Sequence, residues 1–243
     1  MKTIYFVGAG PGDAKLITVR GKELLEIADV VIYTGSLVNK ELLEYTKGET
    51  VNSHGMKLDQ IIDLMISKAL QGKTVVRLHS GDPSIYGAIT EQITELEQKG
   101  LNVKIIPGVS SLFAASAALK TQLTLKGISE TVIITRPRGI TLEDDDLADL
   151  SKHGNITMAL FLGTDKIRDI MARIRMKPDT PVAVVYHASW KDEKIIRGSI
   201  KDIADKVEAS EITRSAIIII GDVVNPEDYV NSYLYSHNTT SME

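Results

Sequence analysis

The chain has no cysteine. That absence removes disulfides, thiolate catalysis and cysteine-rich metal sites together. It also has no run of about 20 apolar residues, the length a membrane-spanning helix requires. Its five histidines, His54, His79, His153, His187 and His237, show no H-x-x-x-H or comparable spacing, so no metal held by the protein is expected. Excess positive charge is missing too. The formal net charge of -4 opposes general nucleic-acid binding, while a local basic patch for an acidic small molecule stays open. There is no internal repeat and no low-complexity tract.

What remains is an ordinary globular composition, 43% hydrophobic and 25% charged, in 243 residues. That length suits one large domain or two small ones. The start, Met1 to Gly8, reads as a strand entering a glycine turn rather than a leader, and a cytoplasmic location is expected. Strand-like runs at Thr3–Gly8, Val30–Tyr33, Thr74–His79 and Val103–Ile106 alternate with helical runs at Val19–Ala28, Lys40–Thr46, Leu58–Leu70 and Ile85–Lys99. This alternation predicts a mostly parallel sheet covered by helices. Beyond Ser110 the pattern changes. A small-residue helix, Ser111 to Leu119, leads through a polar connection into strands at Thr131–Thr135, Thr157–Leu162, Val182–Tyr186, Lys194–Arg197 and Ala216–Ile220. Helices are expected over Glu143–Lys152, Asp165–Arg175 and Ile200–Glu208, the second sheet is expected to be mixed, and the tail beyond Tyr235 is expected to fray. The fold class is therefore α/β, with two α/β domains at 1–119 and 120–243.

Three segments carry chemistry. Arg77 to Gly87 reads as a buried strand stopped by Gly81-Asp82-Pro83, and such turns at the carboxyl edge of a sheet are where open α/β proteins bind ligands. Pro107-Gly108-Val109-Ser110-Ser111 is a second turn of this kind. Gly8-Ala9-Gly10-Pro11-Gly12-Asp13 follows the first strand and invites a dinucleotide reading, but its spacing is G-x-G-x-G, Pro11 removes a phosphate-binding amide, and no acidic residue closes the second strand. That mismatch opposes a nicotinamide cofactor, and a tight turn whose glycines serve only unusual dihedrals stays open beside ligand binding. The acidic run Glu143 to Asp146 is read as a helix start, where negative charge suits the dipole.

Taken together, these segments resemble the tetrapyrrole methylase family. The resemblance rests on Val7 to Asp13 with Leu16-Ile17-Thr18, on Ala28 to Tyr33, on Gly81-Asp82-Pro83, on Pro107 to Ser111, and on Ser215 to Val224, in that order over nearly the whole chain. Tyr33 to Val38 and Leu78 to Gly87 are similar to the branch acting at C11 of precorrin-4. Other branches carry Gly-Gly-Asp-Pro where Ser80 stands here, and an aspartate that Thr34-Gly35-Ser36 lacks.

The resemblance implies a cofactor cleft between the two domains, S-adenosylmethionine as methyl donor with S-adenosylhomocysteine as product, a small tetrapyrrole substrate, no nucleic-acid or membrane partner, and a homodimer. Its implied donor contacts are Pro11, Ser80, Gly81, Asp82, Ile85, Ser110 and Ser111, with Leu162 and Ala188 at the adenine end. Methyl transfer from a sulfonium is an in-line displacement that needs alignment more than a metal or nucleophilic side chain. No catalytic acid or base is named. A substrate bearing carboxylate arms suits arginine. The substrate candidates are Arg136, Arg138 and His79, and Arg77, inside a strand, reads as structural. A surface ion pair for Arg136 and a structural role for His79 stay open, as do a sister methyltransferase acting at another ring position and a non-catalytic nucleotide-binding module.

Overall fold

The structure is a computed structural model that describes residues 3–139, 142–227 and 229–231; the tail beyond Tyr235 and His237 lie outside the described residues. The chain divides into two compact units. One runs through Ala114 and includes Ser189–Lys191; the other comprises Ala115–Ala188 and the chain from Asp192 onward. No helix among the described residues is long and apolar enough to cross a membrane.

In the first unit, β1 (Thr3–Gly8), β2 (Val30–Tyr33), β3 (Glu49–Asn52), β4 (Val75–His79) and β5 (Asn102–Ile106) form a sheet in the order β3-β2-β4-β1-β5. Every pairing is parallel. Such a sheet must be covered on both faces, which is why its central strands are almost continuously apolar. Successive residues alternate between the two layers. Ile4, Phe6, Ile32 and Val75 pack with Ile61, Ile62 and Met65 of α2 (Leu58–Leu70) and Leu96 of α3 (Thr90–Gln98). Val7, Val31, Val76 and Leu78 pack with Leu24 and Leu25 of α1 (Val19–Ile27), whose first turn is capped by the Thr18 hydroxyl accepting from the Gly21 amide at 3.1 Å.

Two expectations for this unit need correction. The helix read from Ile85 begins only at Thr90, because Tyr86 and Ala88 adopt left-handed backbone angles (φ 53° and 47°) and no helix continues through them. The strand β3 was not expected. Its residues are mostly exposed at the sheet edge, so burial leaves no alternating apolar pattern to read. The run Lys40–Tyr45 is a 3-10 helix, opened by the Asn39 side chain accepting from the Glu41 amide at 2.9 Å.

The helix α4 (Ser111–Leu119) leads into the second unit. There β6 (Thr131–Thr135), β7 (Ile156–Leu160), β8 (Pro181–Tyr186), β9 (Lys194–Ser199) and β10 (Ala216–Ile220) form a sheet in the order β6-β7-β10-β8-β9. Only β6 and β7 pair in parallel, so the sheet is mixed, as expected. Its core gathers Met158, Leu160, Val182, Val184, Ile218 and Ile220 with α5 (Leu147–Leu150), α6 (Ile167–Arg173) and α7 (Ile203–Ala209). The helix expected over Glu143–Lys152 shrinks to the single turn of α5. The acidic run does stand at its start, as expected: the Asp145 carboxylate accepts from the Leu147 amide at 3.1 Å, and also from Arg173 Nη1 at 2.7 Å.

Candidate functional site

The connection after β1 leads to α1 on one face of the first sheet, and the connection after β4 leads to α3 on the other. Because β1 and β4 are neighbours, their carboxyl ends mark a topological switch point, where open α/β sheets form a ligand crevice. Three loops meet there. Gly10 and Gly81 exchange backbone hydrogen bonds, Gly10 N to Gly81 O at 3.2 Å and Gly81 N to Gly10 O at 2.8 Å. Both have left-handed angles, φ 82° and 61°, which glycine adopts without strain. Gly8 and Gly108 bring the loops after β1 and β5 into backbone contact: a Cβ on Gly8 would lie 2.5 Å from Gly108 Cα.

Asp82 staples this arrangement. Its carboxylate accepts from the Gly108 amide at 2.8 Å, from the Ser84 amide at 2.8 Å and from the Ser84 hydroxyl. Burial pushes the Asp82 carboxyl up, but the bonds from Ser84 and Gly108 outweigh it and hold the group below the usual carboxylate range. The carboxylate thus joins two loops, with its acceptor oxygens already engaged by Ser84 and Gly108. Ser80 is exposed beside Gly81, Ser110 is buried with its hydroxyl accepting from the Leu112 amide, and Ser111 opens α4. Ile85 follows in the same turn, its amide donating to Asp82 O at 3.3 Å. Pro11 is buried, and its carbonyl accepts from Trp190 Nε1 at 3.0 Å. The first unit therefore brings together all seven of its expected donor contacts.

Arg77 and His79 lie on the α2/α3 face of β4, both more than nine-tenths buried. The Arg77 guanidinium donates to Ser53 Oγ at 2.9 Å and, at 3.4 Å each, to Ile32 O and Gln92 Oε1. These are neutral acceptors, and burial lowers its pKa to about 10. The His79 ring stacks on Phe6 with centroids 5.5 Å apart, and its buried Nε2 has no hydrogen-bond partner among the described residues. Burial first, then the Arg77 charge, lowers the His79 pKa to about 3.

The consequence for stability has a definite sign. As pH falls from 6.5 toward 3, the unfolded chain protonates His79 while the folded chain does not, so stability drops across that window. At pH 4.5 this contributes a loss of about 2–3 kcal/mol relative to pH 7. Denaturant unfolding of wild type and His79→Phe at both pH values should show a shallower loss in the variant. Equal losses would overturn the assignment.

In the second unit, β6, β7 and β8 run in one direction, so their carboxyl ends share one edge of the sheet. Arg136, Leu162 and Ala188 all follow those ends. Leu162 is 64% exposed and has φ 56°, an unusual pairing for a leucine, and Ala188 is buried between His187 and Ser189, which also have positive φ. Left-handed backbone at non-glycine residues costs energy that the surrounding structure must hold in place. Arg138 is engaged elsewhere: its guanidinium lies 3.6 Å from Asp169, and its carbonyl accepts from Lys166 Nζ at 2.7 Å. Sequence reasoning missed Asn39, whose amide donates to Gly12 O at 2.9 Å. It also missed Ser189, whose hydroxyl accepts from the Asp13 amide at 3.0 Å. No signal in the linear sequence ties these residues to the glycine turn.

A parallel sheet with glycine loops in backbone contact at its switch point, followed by a mixed five-stranded sheet, is the frame the family comparison meets. Residues 3–204 match the family model of the tetrapyrrole (corrin/porphyrin) methylases, and the chain belongs to that family of methyltransferase enzymes. It is 56% identical over 244 residues to cobalt-precorrin-4 C(11)-methyltransferase of Methanocaldococcus jannaschii, covering 98% of this chain and 94% of the relative. Among solved structures it is similar to the cobalamin biosynthetic enzyme cobalt precorrin-4 methyltransferase, with TM-score 0.89 and 43% identity over 92% of this chain and 96% of that one. It is also similar to uroporphyrin-III C-methyl transferase from Thermus thermophilus complexed with S-adenyl homocysteine, with TM-score 0.80 and 29% identity over 92% and 93%.

Proposed function

We propose that this enzyme transfers a methyl group from S-adenosylmethionine to C11 of precorrin-4 or its cobalt complex in cobalamin formation, leaving S-adenosylhomocysteine. The observation that carries the reading is the near-full-length, 56% identical match to a cobalt-precorrin-4 C(11)-methyltransferase. The crevice is consistent with such a donor. A Cβ built on Gly81 would meet Ser110 Cα and Ser111 N at 3.8 Å, ordinary contact distance, so among the described residues no atom crowds Gly81 on the side facing the first turn of α4.

Bound S-adenosylmethionine supplies an activated methyl group. The chain's own part is placement, which is where alignment lowers the barrier of a displacement. Gly8, Gly10, Gly81 and Gly108 bring backbone to the crevice where side chains would fill it. Asp82 fixes two of the loops, and burial beside Arg77 leaves His79 too weakly basic to hold a proton at working pH, so neither is assigned as the base. Leu162 and Ala188 keep the donor role, and Arg136 the carboxylate-arm role, that the resemblance gives them. Arg138, tied to Asp169, is the weaker substrate candidate.

The enzyme is further proposed to act in the cytoplasm as a homodimer. Self-association is supported by Ile105 on the edge strand β5, 46% exposed, and Phe113 on α4, 58% exposed. Incubation with methyl-labelled donor and either precorrin-4 or its cobalt form, with mass spectrometry and NMR of the product, should place one new methyl at C11. Light scattering of the same preparation should give twice the chain mass. Label at another ring carbon would favour a sister activity, and donor binding without transfer would favour a regulatory module.

A further inference from the structure

The tripeptide Ser189-Trp190-Lys191 lies in sequence between β8 and β9, yet it packs as part of the first unit. There it meets the glycine turn after β1. Three consecutive residues of that turn present polar backbone groups, and each group is met by a side chain. Pro11 O accepts from Trp190 Nε1 at 3.0 Å, Gly12 O accepts from Asn39 Nδ2 at 2.9 Å, and Asp13 N donates to Ser189 Oγ at 3.0 Å. Two of the three partners come from the tripeptide. Trp190 also seats its ring directly on Gly12, where an added Cβ would lie 2.1 Å from Trp190 Cδ1 and 2.3 Å from Nε1. The third glycine of Gly8-Ala9-Gly10-Pro11-Gly12 is thus a socket for an indole. The exposed pair Lys191 Nζ to Glu41 Oε1, 2.7 Å, adds little by itself.

Trp190 is partly exposed rather than enclosed in either core. Its one N–H is directed at the carbonyl of a residue assigned to the donor crevice. We propose that Trp190 is a positioning residue for methyl transfer: its N–H and ring hold Pro11 and Gly12 in the conformation from which the donor is bound. This rests on the reading of the crevice as the donor site. Ser189 supports the same turn one residue further along.

Trp190 is the only tryptophan in the chain, so its fluorescence reports this contact alone. Saturating S-adenosylhomocysteine should change its emission, a readout that distant structural filler would not move. By calorimetry, Trp190→Phe, which keeps a ring but loses the N–H, should weaken S-adenosylhomocysteine binding about 10-fold, with a melting temperature within a few degrees of wild type. Trp190→Ala should weaken it further, and Ser189→Ala should weaken it less. Gly12→Ala should be strongly destabilising in the wild type and close to neutral beside Trp190→Ala, the coupling expected of two groups sharing one space. Wild-type affinity in Trp190→Phe, Trp190→Ala and Ser189→Ala would overturn the positioning role while leaving the proposed function standing. Wild-type protein that does not bind S-adenosylhomocysteine would overturn the proposed function, and the positioning role with it.

Discussion

Gly108→Ala is expected to cost about 3 kcal/mol of stability or more and to abolish donor binding. A Cβ at Gly108 would lie 2.2 Å from Gly81 O, 2.7 Å from Gly8 Cα and 2.9 Å from Gly8 C. Overpacking costs roughly 1–3 kcal/mol where side chains can turn aside. Here all three obstacles are backbone, belonging to β1 and to the turn after β4, so relief requires one loop to leave its place. The Gly108 amide also donates to Asp82, and displacement would strip that carboxylate of one of its anchors. Gly8→Ala meets the same crossing from the other side, with Gly108 Cα at 2.5 Å and Gly81 O at 2.7 Å. Gly154→Ala is the control: nothing lies within 4 Å and no left-handed angle is required, so it should be near neutral. Denaturant unfolding with S-adenosylhomocysteine titration decides the matter. A Gly108→Ala protein within about 0.5 kcal/mol of wild type, the range of an ordinary surface change, would refute the close approach.

The crossing also shows where sequence reading stops. That glycine at positions 8, 10, 81 and 108 serves close approach or unusual dihedrals follows from the residue type. What approaches does not follow, because Gly8 meets Gly108 a hundred residues away and Gly12 meets Trp190 from another part of the chain. Burial, by contrast, is locally legible. The spacing of Leu58, Ile61, Ile62, Met65, Ile66 and Leu70 marks a helix, and α2 spans Leu58–Leu70. The buried run ending at His79 reads as a central strand for the same reason. The edge strand β3 buries too little to leave a pattern. The run after Ile85 has helical spacing, but tertiary constraints override it: a Cβ on Gly87 would lie 2.1 Å from Pro83 O, so the chain doubles back tightly before α3 begins. Asp82 stood out from sequence as a fixed charge beside the crevice. Only the structure shows that the charge joins two loops.

Gly81→Val is expected to separate binding from folding, the reverse of Gly108→Ala. Gly81 has φ 61°, so any L-residue there carries strain of about 1–2 kcal/mol. Its Cβ would meet nothing closer than Ser110 Cα and Ser111 N at 3.8 Å, an ordinary contact. The fold therefore survives, with a melting temperature lower by about 3–8 °C for a chain of this size. The added methyls, however, extend into the space before Ser110 and Ser111, the space assigned to the donor. The strain also works against the paired hydrogen bonds of Gly10 and Gly81 that shape the crevice. Affinity for S-adenosylhomocysteine should fall by about 100-fold or more, a loss of about 2.7 kcal/mol, beyond what the strain alone explains. Gly81→Ala carries the φ penalty of an L-residue without the extra strain a β-branched side chain meets there and with almost no added bulk: its melting temperature and its affinity should both lie between valine and wild type. Donor affinity unchanged in the valine variant would show that the crevice at the β1/β4 switch point is not where the donor binds, whatever the stability of the protein.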